Sequence, residues 1–377
     1  MKRCKYSYAL TLVLVLTMSL SLLQVTAIST VSELDQQDLY VEIVFHSDIH
    51  DYVQILDFMD SRDGRGQQCE ETLATQRLYE AGFSQNFIDN FSVESIEILS
   101  SSQRAFITTS HFAEEYCDKT DSYELVLVSR DEFLRLSTNE KEHELPILLE
   151  EYGGYTSGID PFGVVVENRG GGTVVLMTAL FHSPTEQHPG RYIALTEFLW
   201  TQMPSSRRTD FLGLGRGNGY AVLGNNFSGW LGHYTQRHSF WVQGGVVRTA
   251  PSEEPIFGTQ AITTNELRPS EGVAIRANVP FDVLPSSIFP NQILFGDFRF
   301  GFQGGVSYTG TLTHIQNGTF HFNHYSVYMH QTGVSIGSPS ISLSLSGPSI
   351  SFSVSPSASY ASAVNNVLTT TWIITTT

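Results

Sequence analysis

From Val334 to Ser355 apolar residues alternate with serine: Ile341, Leu343 and Leu345 come before Gly347-Pro348, and Ile350, Phe352 and Val354 follow it. A period of two places every second side chain on one face of a strand, so this stretch is expected to fold as half-buried β-ribbon. Gly-Pro is a turn pair. A loop there sets Leu345 against Ile350, Leu343 against Phe352 and Ile341 against Val354, with serines paired on the other face. The C-terminal half is therefore expected to be all-β.

The opposite end reads as an export leader. Lys2, Arg3 and Lys5 form a basic region, Ala9 to Leu23 an apolar run, and Val25-Thr26-Ala27 a small-residue cleavage site. That run is short of the ~20 residues that a membrane-spanning helix needs. Cleavage after Ala27 is expected, which makes the mature protein secreted or cell-surface. Cleavage also removes Cys4 and leaves Cys69 and Cys117. An even pair in an exported chain suggests one disulfide, Cys69–Cys117, contributing ~4 kcal/mol in the chain-entropy picture.

Charge divides the chain. Residues 28–160 hold 28 acidic against 8 basic side chains, whereas residues 161–377 hold 10 of each, and lysine ends at Lys141. The shift suggests three parts: a signal peptide (1–27), an acidic α+β domain (28–155), and a β-rich domain (156–377), an antiparallel sandwich or barrel ending in the serine hairpin. An acidic first half argues against nucleic acid or anionic lipid as a partner, since both want a basic footprint. In that half Leu39–Phe45 reads as a strand, and Asp51 is placed to cap a helix with Tyr52, Ile55, Leu56 and Met59 on its apolar face. A second helix is expected over 68–81 with Gly82 at its C-terminal cap, a short one from Ser84 and another from Ser92. Strands follow at 104–108 and 123–129. Asn139–Glu144 is a charge run suited to a solvated surface. Beyond Gly153-Gly154 short β-prone runs are separated by Gly, Pro, Asn and Ser at the spacing of a sandwich or barrel. The tail Thr369–Thr377 is strand-prone and is expected at a sheet edge. Phe240–Val246 and Phe300–Val306 share an aromatic strand followed by Gly-Gly, a place for a bulge or tight turn.

Chemistry is thinly signalled. His46, Asp48, His50 and Asp51 gather two imidazoles and two carboxylates of a kind that holds zinc or manganese, although a strand-to-helix loop with Asp48 or Asp51 as the cap uses the same residues. His314, His321, His324 and His330 fall in the late strands, with His324 and His330 on one face and His321 on the other. Gly213–Gly219 and Arg169–Gly172 match no nucleotide-binding pattern and read as glycine turns, and the sequence implies no cofactor. Asn90, Asn226 and Asn317 stand in N-glycosylation sequons. The tryptophans, Trp200, Trp230, Trp241 and Trp372, suit a large β core or aromatic recognition of a ligand.

The run Phe198-Leu-Trp200 followed by Pro204, Arg207-Arg208 and Thr209-Asp210 resembles a group of uncharacterised exported proteins of Gram-positive bacteria, as do the Gly82 turn and the serine hairpin. The resemblance implies export and brings no activity. Arg207 or Arg208 with Asp210 is expected to form an ion pair at the strand exit. Together these readings favour a non-enzymatic surface or interaction protein with an extracellular ligand. A membrane-acting hairpin is the second reading, against which stands an arm of seven residues, ~23 Å, where a barrel strand takes 9–11. A hydrolase, metal-dependent through His46–Asp51, is the third.

Overall fold

The computed structural model describes residues 24–27, 39–46, 52–58, 69–118, 122–138, 172–185, 190–205, 207–216, 221–243, 246–260, 262, 272–285, 288, 291–312, 318–331, 340–346, 349–355 and 364–374. In chain order the first elements are β1 (Gln24–Ala27), β2 (Leu39–His46), β3 (Tyr52–Asp57), α1 (Glu70–Glu80), a 3-10 turn at Ile88–Asn90, α2 (Val93–Ser101), β4 (Arg104–Cys117), β5 (Ser122–Val128) and α3 (Arg130–Thr138). Strands alone follow: β6 (Thr173–His182), β7 (Arg191–Gln202), β8 (Thr209–Arg216), β9 (Ala221–Gln243), β10 (Val246–Pro251), β11 (Ile256–Thr259), β12 (Gly272–Asn278), β13 (Leu294–Leu312), β14 (Gly318–Met329), β15 (Ser340–Ser346), β16 (Ser349–Ser355) and β17 (Val364–Ile374). The protein is mostly β, built on one large antiparallel sheet.

That sheet runs β10-β9-β13-β7-β6-β4-β3, with β11 added to β9 and β5 to β4. A second sheet runs β1-β2-β17-β14-β8-β12, and β15-β16 pair only with each other. The two larger sheets pack face to face. Period two explains the layering. On β7, Tyr192, Ala194, Phe198 and Trp200 point into the core between the sheets, while Ile193 and Leu195 point to the other side, under α1 and α2. Both faces of β7 are thus buried, so apolar residues occupy both phases of the strand, interrupted by the buried Thr196 and Glu197. The helical layer seals the far face with Ala74, Leu78, Phe87, Phe91, Ile98 and Leu99. Ser92 caps α2 by accepting from the Ser95 amide at 3.1 Å. Gly82 sits at φ +82°, a left-handed conformation that suits glycine after a helix.

The hairpin has the expected register: Leu345 lies opposite Ile350, Leu343 opposite Phe352 and Ile341 opposite Val354. Elsewhere the structure departs from the sequence reading. Residues 52–57 are strand β3, paired to β4 from Tyr52–Thr109 to Asp57–Arg104, not a helix capped by Asp51. Spacing at i, i+3 and i+4 did not outweigh the hydrogen bonds that an edge strand makes with β4. Gly213 and Gly215 belong to β8, opposite Ala274 and Gly272, not to a turn. The terminal strand β17 lies inside its sheet, between β14 and β2. The expected Cys69–Cys117 disulfide is not formed: Cys69 stands exposed ahead of α1, and Cys117 is half-buried at the far end of β4. The charge shift near residue 155 does not break the large sheet, because β4 pairs with β6 along ten residues, from Arg104–His182 to Ala113–Thr173.

The Gly-Gly echo also resolves. In β13 the kink falls at Gly301, φ +59°, where the ladder to β9 shifts between Phe300 and Gln303. Gly304 and Gly305 are packing glycines: a Cβ on Gly305 would stand 2.2 Å from Trp230 Cζ2.

Candidate functional site

Ionisable side chains converge in one place, between the sheets at the Trp200 end. Even-numbered positions of β4, β7, β8 and β14 face inward there, which brings together Glu114, Trp200, Asp210 and Tyr328, with His330 just past β14. His330 is held from both sides. Its Nε2–H donates to Glu114 Oε1 at 3.1 Å and its Nδ1–H to Asp210 Oδ1 at 2.9 Å. Glu114 Oε2 accepts from the amides of Gly172 (3.0 Å) and Ser205 (2.7 Å). Asp210 accepts from the Gln331 amide at 3.0 Å and from the Tyr328 hydroxyl, which in turn accepts from Trp200 Nε1–H at 2.6 Å. The His330, Glu114 and Asp210 side chains have no solvent exposure.

Burial alone pushes the His330 pKa down, but Asp210 and Glu114 together override it and raise it to about 10. Burial likewise opposes ionisation of Glu114, and the His330 hydrogen bond and charge with the Ser205 and Gly172 amides pull it below the ordinary carboxylate value. The Tyr328 phenol is pushed well above its usual pKa by burial and by the Asp210 charge. The imidazole is therefore a cation donating from both nitrogens. A hydrolytic histidine needs one nitrogen facing a hydroxyl or thiol, and a metal ligand needs a lone pair. Here both nitrogens are spent on carboxylates. The cluster joins β4 of one sheet to β8 and the end of β14 of the other. It is a charged clamp.

On the other face of the large sheet Glu197 is buried with one hydrogen bond, from the Ser84 amide at 3.1 Å. Burial raises its pKa to about 8, so it is a neutral acid at pH 7.

At the same end as the clamp, where the Val279 amide donates to the Arg208 carbonyl at 2.8 Å, the surface is apolar and open. Antiparallel β9 and β13 carry β10 and β11 there, and a strap at 279–285 lies along β13 through a bridge between Val283 and Asp297. Phe281 and Ile293 are each 63 % exposed, Phe295 58 %, Val283 51 % and Leu284 45 %. The backbone beneath them is fixed. Val283 and Asp297 exchange two hydrogen bonds of 2.8 Å, and Asp282 accepts from the Arg299 amide and from Arg207, each at 2.7 Å. Arg207 thus pairs with Asp282 and not with Asp210, which turns inward to His330. Asn291 adopts φ +68° at the entry to β13, a left-handed conformation that asparagine tolerates.

Of the metal candidates, His46 ends β2 with its side chain outside the described residues, and Asp48, His50 and Asp51 lie outside them altogether. Among the described residues no group of three His, Cys, Asp or Glu is arranged to hold a metal ion. Trp200 and Trp230 are buried and Trp241 is half-buried, so the first two serve the core. Asn90 is exposed, the Asn226 amide donates to Glu94, and Asn317 lies outside the described residues. His324 and His330 share the inward face of their strand, as their spacing implied, and His324 Nδ1 meets the Tyr308 hydroxyl at 2.8 Å. The Glu114–His330–Asp210 clamp escaped sequence reasoning because its members are 120 and 216 residues apart. Its trace is His324-x-Ser-x-Tyr-x-His330, a strand whose inward side is polar throughout. The tip left a trace too: Phe281, Leu284, Ile293 and Phe295 stand among Pro280, Pro285 and Pro290, where loop residues are usually polar.

No protein-family model matches the chain, and no curated protein matches it.

Proposed function

We propose that the chain is an exported, non-enzymatic β-sandwich protein that recognises an extracellular ligand through the apolar tip formed by Phe281, Val283, Leu284, Ile293 and Phe295. One observation carries this reading: the buried Glu114–His330–Asp210 cluster is self-satisfied, whereas large apolar side chains stand in solvent on a hydrogen-bonded frame. Soluble proteins hide such clusters unless something covers them. Aromatic and aliphatic anchors on rigid backbone bind with little ordering cost, the usual anatomy of a recognition hot spot.

Export rests on the leader. Cleavage after Ala27 would remove β1 and leave β2 as the edge of its sheet, a short strand that the mature protein carries without its partner. On this reading the acidic residues 28–155 supply the α+β part, with α1 and α2 over the large sheet. Residues 156–377 supply most of the sandwich. The likeness to uncharacterised exported proteins of Gram-positive bacteria points the same way.

Labelled mature protein tested against immobilised peptidoglycan, polysaccharides and cell-surface protein extracts should bind at least one class. A Phe281→Ser/Phe295→Ser variant should lose that binding by ~10-fold or more while melting within a few degrees of wild type, since surface substitutions rarely move stability beyond ~0.5 kcal/mol. Unchanged binding by the double variant, or no binding to any class, would rule out the tip.

A further inference from the structure

The β15–β16 hairpin differs from every other strand pair in being hydrogen-bonded, among the described residues, only to itself. It lies against β8. The side of β8 facing away from the inter-sheet core carries Phe211, with Ala274, Val327 and Met329 beside it from neighbouring strands, and all four are buried. That face is apolar apart from Arg276, and among the described residues the hairpin has no ladder to a neighbouring strand that it must break on leaving. Isolated two-stranded hairpins are marginal in water, so it depends on a surface to lie on.

Its composition fits a second surface. After Arg299 the chain contains no Asp, Glu, Lys or Arg through Thr377, although it holds 38 acidic and 21 basic residues overall. Exposed strands in water normally carry charges, lysine above all, to prevent association. Six apolar residues share one face of the hairpin, and serine occupies every position of the other. Alternation also outlasts the paired residues: serine holds every second position from Ser338 to Ser346, and again from Ser349 to Ser359 before Tyr360. Those runs span nine and eleven residues, the length of a transmembrane β-strand.

We propose that the β15–β16 hairpin is a membrane-inserting arm that leaves its seat on β8 at a lipid bilayer and joins hairpins of other copies in a transmembrane β-barrel. The apolar face meets lipid and the serines line a water-filled interior. The smallest such barrels have about eight strands, so about four or more copies contribute. This activity is independent of the tip and does not require that the tip bind anything.

The test uses the mature chain with vesicles of phosphatidylcholine, with or without phosphatidylglycerol, loaded with a self-quenching dye. Release is expected, and Leu343→Lys should reduce it by ~10-fold or more, because lysine on the lipid face opposes insertion, whereas Ser344→Lys on the interior face should stay within ~2-fold. A second measurement guards against misfolding of the lysine variant. In a Cys69→Ser/Cys117→Ser background, an environment-sensitive fluorophore is placed singly at Leu343→Cys, Ser344→Cys, Phe352→Cys or Ser353→Cys. Blue shift and quenching by lipid-borne quencher at 343 and 352, but not at 344 and 353, support insertion. No release from either vesicle type, release indifferent to Leu343→Lys, or probe responses without the two-residue alternation would overturn the proposal.

Discussion

Glu197 offers the sharpest test of the packing described above. Its carboxyl is buried under the helical layer with one amide donor, and its pKa stands at about 8. In the unfolded chain a glutamate titrates near 4.3. The folded state therefore holds a proton that the unfolded state has released over the interval between those values. Its contribution to stability is fully present below about 4.3 and is lost as pH rises, until Glu197 ionises in the fold near 8. At pH 7 the difference is under three pKa units, and at ~1.4 kcal/mol per unit the penalty is on the order of 3 kcal/mol. Glu197→Gln keeps the acceptor for the Ser84 amide and does not titrate. It should raise stability by about 3 kcal/mol at pH 7, equivalent to ~5 °C or more in Tm, and by nearly nothing at pH 4. Urea unfolding followed by tryptophan fluorescence at pH 4, 5.5, 7 and 8.5 measures that difference directly. A gain of equal size at every pH, or a loss at pH 7, would show that Glu197 is not a buried neutral acid.

Three further outcomes are expected. His330 has a folded pKa raised to about 10, so the clamp's contribution should be complete below about 6.5 and lost as pH climbs through 10; His330→Gln should remove that alkaline limb. By leaving Glu114 and Asp210 as unpaired buried acids, the same substitution should cost about 3–5 kcal/mol in denaturant titrations at pH 7. Gly305→Ala should destabilise by about 2 kcal/mol or more, because its methyl would meet Trp230 at 2.2 Å and the Thr196 carbonyl at 2.7 Å, while Gly258→Ala, with nothing within 4 Å, should stay within ~0.5 kcal/mol. Cys69→Ser should leave the stability within ~0.5 kcal/mol of wild type, and alkylation of the folded protein should find Cys69 reactive, against the ~4 kcal/mol that a disulfide would have added.

Local chemistry made part of this legible in advance. The hairpin register follows from a period of two and one turn pair, both contained within sixteen residues. The Ser92 cap and Gly82 stop are likewise decided by atoms a few bonds away. Tyr52–Asp57 misled because its apolar spacing satisfies a helix as well as a strand, and the deciding partner, β4, lies some fifty residues on. Glycines in β8 misled in the opposite direction: they sit beside Ala274 and Gly272 on a strand whose inward residues, Leu212 and Leu214, carry the packing. The clamp and Glu197 were beyond reach for a different reason. Each depends on which of many acids the topology buries, and no spacing along one chain encodes that. The apolar tip stood in plain view as Phe and Ile among prolines, but exposure becomes evident only once the strap at 279–285 has a strand to lie on.

The pairing of β2 with β17 ties Leu39 to Ile374 across nearly the whole length of the chain. No sheet containing it can be completed until Ile374 has been synthesised, which makes assembly a long-range event and a slow one. For the export proposed above, such a delay would keep the chain open enough to thread through a channel, with β17 closing the weave on the far side.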